Sequence, residues 1–205
     1  MSLVFYYAPM SSAVTVQWAL EELGVPYEKI KIDLQAREQD RPAYLALNPN
    51  GKVPLLVHDG TPIFESVAIL IHLGETFGVD KGLFPAAGLR RAEALKWLVW
   101  TNVSLGEALS RYLHNTSERI PSERHNAKAA ESAKADVEKH LSILDRAIKG
   151  RTWLVGDAFS LVDLHVAGWV AYLGMCGFDA KAWPNVDAWA KMSVARPTFA
   201  LAMKP

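Results

Sequence analysis

Residues 53–66 read Val53-Pro54-Leu55-Leu56-Val57-His58-Asp59-Gly60-Thr61-Pro62-Ile63-Phe64-Glu65-Ser66. Two apolar runs, 54–58 and 61–64, flank Asp59-Gly60, a dipeptide that accepts the positive φ of a two-residue hairpin turn. The stretch therefore predicts two antiparallel strands. From Glu65-Ser66 onward apolar residues follow at helical spacing to about residue 77, so the hairpin runs directly into a helix.

Upstream, strand-like and helix-like pieces alternate. Residues 2–6 form a short apolar run ending in Tyr6-Tyr7, and a helical stretch over 12–23 is closed by Gly24, where a left-handed residue belongs. Residues 27–33 place Ile30 and Ile32 between Lys29, Lys31 and Asp33, the period of a strand with one solvated face. A short helix over 40–45 follows, with Asp40 as its cap and Pro42 in its first turn. The order strand, helix, strand, helix, strand, strand, helix predicts a small mixed sheet wrapped by helices.

Downstream, residues 78–90 carry Gly78, Gly82, Pro85 and Gly88 and read as a linker, after which strand signals vanish. Leu95, Leu98, Asn102, Leu105 and Leu109 recur at spacings of three and four, as do Ala133, Val137, Leu141, Leu144 and Ile148. Both series predict long amphipathic helices. The charged segment 118–139 reads as a solvated helix face that begins at Ser122 and Glu123 after Pro121. Ser160-Leu161-Val162-Asp163 resembles a capping box in which the Ser160 hydroxyl meets the Asp163 amide and the Asp163 carboxylate reaches back. A buried helix over 160–173 follows, and Pro184 and Pro197 bracket the last short ones. The expected layout is a sheet domain over 1–79, a linker over 80–89 and an all-helical domain over 90–205.

Composition narrows the function. The 205 residues are 50% hydrophobic and 21% charged, with 22 basic residues balancing 22 acidic ones. That balance lacks the basic excess phosphate neutralisation requires, so no nucleic-acid partner is expected. The longest apolar stretch, 67–73, is far short of the roughly 20 residues a membrane helix takes, and the N-terminus has no basic segment or cleavage site of a secretory signal. No membrane partner and a cytoplasmic location are expected. One cysteine, Cys176, closes no intrachain disulfide and reads as a small buried hydrophobe. The six histidines form no local pair, so no metal is expected.

Three segments carry more than pattern: Phe5-Tyr6-Tyr7-Ala8-Pro9-Met10-Ser11-Ser12 before a helix, Asn48-Pro49-Asn50-Gly51-Lys52-Val53-Pro54 before a strand, and Phe64-Glu65-Ser66 opening a helix. In this order, and with Trp153-Leu154-Val155-Gly156 and Ser160-Leu161-Val162-Asp163 in the helical part, the chain resembles the cytosolic glutathione S-transferases over nearly its whole length. The resemblance implies an α/β thioredoxin-like N-terminal domain with a mixed four-stranded sheet, an all-α C-terminal bundle and a homodimer. It further implies glutathione as co-substrate and a small hydrophobic electrophile as the second one.

The resemblance also assigns residues. Val53-Pro54 would be a cis peptide that turns the Val53 backbone outward to pair with the cysteinyl residue of glutathione. Glu65 and Ser66 would hold the γ-glutamyl group, where helix N-terminal amides and the dipole favour an anion; the plainer reading has Ser66 only capping the helix. Asn50 and Lys52 would contact the tripeptide from the preceding loop. A free thiol has a pKa of roughly 8.5, so turnover needs a donor that favours the thiolate. Three hydroxyls compete: Ser11, resembling the serine of theta-like and delta-like classes and preferred here; Ser12, at the cysteine position of the beta class; and Tyr6, in line with the tyrosine of the alpha, mu and pi classes. The serine not used would cap the first helix.

Departures are informative too. The beta-class pattern expects an asparagine and a histidine where this chain has Val99 and Gly106. The missing cysteine near the first helix argues against mixed-disulfide chemistry. Trp169, Tyr172, Tyr112 and His114 are weak candidates for an acceptor pocket. The sequence thus reads as a glutathione transferase, with a non-catalytic glutathione-binding or protein-interaction module of the same fold, or a glutathione-dependent peroxidase, as alternatives.

Overall fold

A computed structural model describes residues 1–204; Pro205, the last residue of the expected helical domain, lies outside the described residues. Four strands, β1 (Leu3–Tyr7), β2 (Glu28–Lys31), β3 (Leu55–His58) and β4 (Thr61–Phe64), form one sheet in the order β2-β1-β3-β4. β1 runs parallel to β2, with Tyr6 opposite Ile30, and antiparallel to β3, with Tyr6 opposite Leu55. The parallel pair requires a crossover, supplied by α1 (Ala13–Leu23). At the β3–β4 turn Asp59 and Gly60 both have positive φ, 46° and 82°, as the dipeptide predicted.

Alternation along β1 divides its side chains between two layers. Leu3, Phe5 and Tyr7 point into the main core with Val16, Leu20 and Leu23 of α1 and Ile69, Leu70 and Leu73 of α3 (Ser66–Leu73). Tyr6 joins a smaller cluster with Ile32, Leu55 and Tyr44, the last from α2 (Pro42–Leu45). The main core passes without a break into Leu98, Leu105, Val137, Leu141, Val166 and Trp189 of the helical part.

The C-terminal part consists of α4 (Leu89–Trp100), α5 (Gly106–His114), α6 (Ala127–Ile148), α7 (Leu161–Met175), α8 (Pro184–Val194) and α9 (Pro197–Ala202). At the start of α7 the Asp163 carboxylate accepts the Ser160 amide at 3.0 Å, the Leu154 amide at 2.7 Å and the Trp189 indole at 3.1 Å, while Ser160 Oγ accepts the Val162 amide at 3.3 Å. One buried carboxylate thus ties α7 to α8 and to the preceding loop, and burial raises its pKa against the pull of those donors.

Several sequence expectations need correction. The helix expected over 65–77 keeps α-geometry only to Leu73, then widens into a π-turn over Gly74–Gly78. There the Phe84 ring lies so close that a Cβ on Gly74 would meet it at 2.6 Å. The series from Leu95 to Leu109 is likewise broken, between α4 and α5, by a π-turn over Thr101–Leu105. The strand expected over 27–33 is shorter, because the Asp33 carboxylate accepts the Gln35 and Ala36 amides at 2.9 and 3.0 Å and turns the chain. Asp40 does not cap α2; it pairs with Arg37 at 2.6 Å and Arg41 takes the cap position. α6 begins after Asn126, whose carboxamide accepts the Ala129 amide at 3.1 Å, and Ser122–Arg124 is a separate short turn. Cys176 is half-buried. His58 and His72, distant in sequence, meet with Nδ1 and Nε2 2.8 Å apart.

Candidate functional site

The loop before β3 is braced from beneath. The Lys52 carbonyl accepts the Tyr44 hydroxyl and the Asn48 carboxamide, each at 2.7 Å, and Asn48 Oδ1 takes the Asn50 amide at 3.1 Å. Asn48 is buried, whereas Asn50 and Lys52 are exposed. Burial pushes the Tyr44 phenol up to about 12, so it remains a donor at neutral pH. The braced loop ends in a cis Val53–Pro54 peptide, with the Val53 side chain packed on the small cluster below.

Past the hairpin, Glu65 occupies φ 68° and ψ 118°, a left-handed conformation costly for a residue with a Cβ. It is the N-cap residue of α3 but its side chain makes no cap bond and is exposed. Ser66 is the first residue of the helix and is 3% exposed. Its Oγ accepts a hydrogen bond from Asn102 Nδ2 at 3.1 Å, so the hydroxyl does not serve as the cap the plainer reading gave it.

The first turn of α1 separates its serines. Ser11 Oγ donates to the Ala8 carbonyl at 2.7 Å and accepts the Ala13 amide at 3.2 Å, which makes it the capping hydroxyl. Ser12 is exposed and its side chain makes no cap bond. Both line a cavity of about 160 Å³ whose other walls are Trp169, Tyr172 and Met175 of α7 with Phe199 of α9. Among the described residues, no carboxylate or ammonium side chain lines it. Tyr6 stands apart: its ring meets Tyr44 edge-on, with centroids 5.8 Å apart, in the small cluster.

Of the weak acceptor-pocket candidates, Trp169 and Tyr172 wall this cavity. His114 lines a second, shallower groove behind them beside Cys176, and Tyr112 packs against Phe178. Burial raises the Cys176 thiol pKa, so the thiolate is disfavoured.

The structure adds three residues that were not read as functional from sequence. Asn102, on the π-turn before α5, has Oδ1 2.9 Å from His165 Nε2, and His165 Nδ1 lies 3.2 Å from Thr15 Oγ1. Thr15 Oγ1 in turn stands 3.1 Å from the Ser12 carbonyl. An asparagine and a histidine do come together here, from Asn102 and α7, although Val99 is exposed and Gly106 is packed under Trp169. His165 is fully buried, which pulls its pKa down to about 3 and keeps the ring neutral. The signal available in sequence was the unusual placement of polar residues on otherwise apolar helix faces.

Residues 1–75 match the family model described as glutathione S-transferase, N-terminal domain, and residues 96–197 match glutathione S-transferase, C-terminal domain. The chain is 33% identical to glutathione S-transferase GstB of Escherichia coli K12 over 180 residues, covering 87% of this chain and 86% of that protein. It is 30% identical to the disulfide-bond oxidoreductase YfcG of the same organism, over 97% of this chain and 93% of that one. Among solved structures, Ure2p in complex with glutathione superposes with a TM-score of 0.89 at 25% identity, covering 98% of this chain and 97% of that chain. Among the described residues no helix is long and apolar enough to cross a membrane, and no group of three or more His, Cys, Asp or Glu is placed to hold a metal ion.

Proposed function

Because the chain belongs to the glutathione S-transferase family, we propose that it binds glutathione along the edge from Val53 to Ser66 and joins its sulfur to a small apolar electrophile. The observation that carries this reading is the cavity in which the first turn of α1 faces an apolar wall from α7 and α9. In it serine hydroxyl groups and an apolar wall lie side by side, an arrangement that suits a sulfur and an uncharged acceptor.

In this reading the cysteinyl backbone pairs with the Val53 amide and carbonyl, held in place by Asn48 and Tyr44 through Lys52. Glu65 meets the γ-glutamyl ammonium, Ser66 and the α3 amides meet its carboxylate, and Asn50 and Lys52 touch the tripeptide from the loop. The thiol gives its proton to solvent, the sulfur lone pair forms a bond to the electrophilic carbon, and the leaving group departs with the displaced pair. Ser12 is the donor that favours the thiolate, since the Ser11 proton is engaged by the Ala8 carbonyl. A hydrogen bond to a charged acceptor contributes about 1.5–3 kcal/mol, enough to lower the thiol pKa by about one to two units.

An ultraviolet titration of the bound thiolate tests this. The expected result is a pKa below that of free glutathione, raised by about one unit in Ser12→Ala. Ser11→Ala leaves it nearly unchanged while lowering stability by about 0.5–2 kcal/mol as a lost cap. A rise confined to Ser11→Ala would return the role to Ser11, and a bound thiol that titrates as in water would make the protein a glutathione-binding module without activation. A homodimer belongs to the same reading, and exposed Val99 and Val103 at the α4–α5 junction offer an apolar face for it.

A further inference from the structure

We infer that Asn102 is a positioning residue whose carboxamide, oriented by His165, makes Ser66 a hydroxyl that donates outward to the carboxylate of a bound γ-glutamyl group. The inference rests on glutathione being the ligand.

The argument follows protons along the chain of contacts. Asn102 Oδ1 only accepts, so at 2.9 Å the proton must sit on His165 Nε2. A neutral imidazole then has Nδ1 as an acceptor, with Thr15 Oγ1 3.2 Å away, while the Thr15 proton goes to the Ser12 carbonyl at 3.1 Å. Asn102 Nδ2 gives a proton to Ser66 Oγ at 3.1 Å and uses one of its lone pairs, which leaves the Ser66 proton for an acceptor outside the protein. The three donors His165, Asn102 and Ser66 therefore point the same way.

Thr15, His165 and Ser66 are buried, at 5%, 0% and 3% exposure. In such surroundings bonds in series polarise one another, and an anion at the open end strengthens each. Burial keeps the His165 ring from taking a second proton, so it donates through one nitrogen only. Were the carboxamide turned over, Ser66 would give its proton to Asn102 and the ligand would lose a donor. Placement on a π-turn fits this role, since such turns recur where a helix presents a side chain for function. The chain begins at His165, and Thr15, which donates to the Ser12 carbonyl and touches His165 Nδ1, connects the helix turn at the sulfur end to the helix start at the γ-glutamyl end.

Asn102→Asp tests the inference, because it keeps shape and an acceptor for His165 but presents only acceptors to Ser66. Asn102→Ala removes the donor without adding charge. Affinities are measured by calorimetry for glutathione and for 4-aminobutyryl-cysteinyl-glycine, which lacks the γ-glutamyl α-carboxylate. Both variants are expected to bind glutathione about tenfold or more weakly, the usual range for losing a hydrogen bond to a charged group, and to bind the analogue as the wild type does. Ser66→Ala added to Asn102→Asp is expected to cost little more, as for residues acting through one bond. Equal losses for both ligands, or none for either, would overturn the inference. Nitrogen-15 spectra of the ligand-free protein supply an arm independent of glutathione: His165 is expected as the neutral Nε2–H tautomer from about pH 5 to 8. An Nδ1–H tautomer would overturn the donor chain. A wild type that binds no glutathione would contradict the proposed function and leave the tautomer to decide this inference.

Discussion

At the scale of single residues, His165 couples the site to pH. Its folded pKa, about 3, lies below the ordinary 6.5, because burial disfavours the charged ring. As pH falls below 6.5 the unfolded chain takes a proton that the folded one refuses until near 3, so this contribution to stability is complete above 6.5 and is lost progressively below it. At about 1.4 kcal/mol per unit, the His165 share of the stability lost in urea unfolding between pH 7 and pH 5 is expected to be roughly 2 kcal/mol, with His72, also lowered by burial, adding to it and Asp163, raised by burial, opposing it. His165→Gln should reduce that slope, and an unchanged slope would show that the folded ring takes its proton at the ordinary pKa. Glu22 does not confuse the comparison. Burial alone raises its pKa, but hydrogen bonds from Arg196 and Thr198 outweigh it, and the net lowering confines its titration to pH below the ordinary carboxylate value. Its stabilisation is therefore intact at pH 5 and disappears only in stronger acid.

At the scale of elements, close contacts decide where helices change. α3 passes into the wider turn at Gly74, where the Phe84 ring fills the space a Cβ would need. Gly74→Ala is expected to destabilise by about 1–3 kcal/mol, the usual cost of overpacking, read as a lower Tm. Phe84→Leu in the same chain should restore part of the loss, whereas an undiminished deficit would point to helix geometry instead. These contacts mark the limit of what was legible in sequence. The hairpin at Asp59-Gly60 and the cap at Ser160 and Asp163 were readable, since their partners lie within a few residues. The π-turn at Thr101–Leu105 was not, because apolar spacings of three and four look alike whether the helix is continuous or widened. Asn102 was read as a position on a helix face; its partners, Ser66 and His165, are 36 and 63 residues away. In the proposed function the choice between Ser11 and Ser12 rests on the Ala8 carbonyl capturing the Ser11 hydroxyl, a matter of local backbone angles that two neighbouring serines do not reveal in sequence.

At the scale of the whole molecule, the proposed homodimer sets a mass. Val99 and Val103 are 47% and 66% exposed on one stretch of helix, a poor arrangement in water without a partner. Sedimentation at micromolar concentration is expected to give twice the 22.6 kDa of one chain, with Val103→Glu shifting it toward one; a 22.6 kDa wild type would remove the dimer from the proposal. The uninterrupted core has its own consequence. Family models divide the chain between residues 75 and 96, yet Val16, Leu70, Val166 and Trp189 share one interior. The family models are modular here while packing is not: a chimera joining the first part of this chain to the second part of a relative would have to import the matching faces of α1, α7 and α9 together. Swapping at the linker alone would set two unrelated half-interiors against each other, so exchange of acceptor pockets between relatives is constrained by helix shape before chemistry enters.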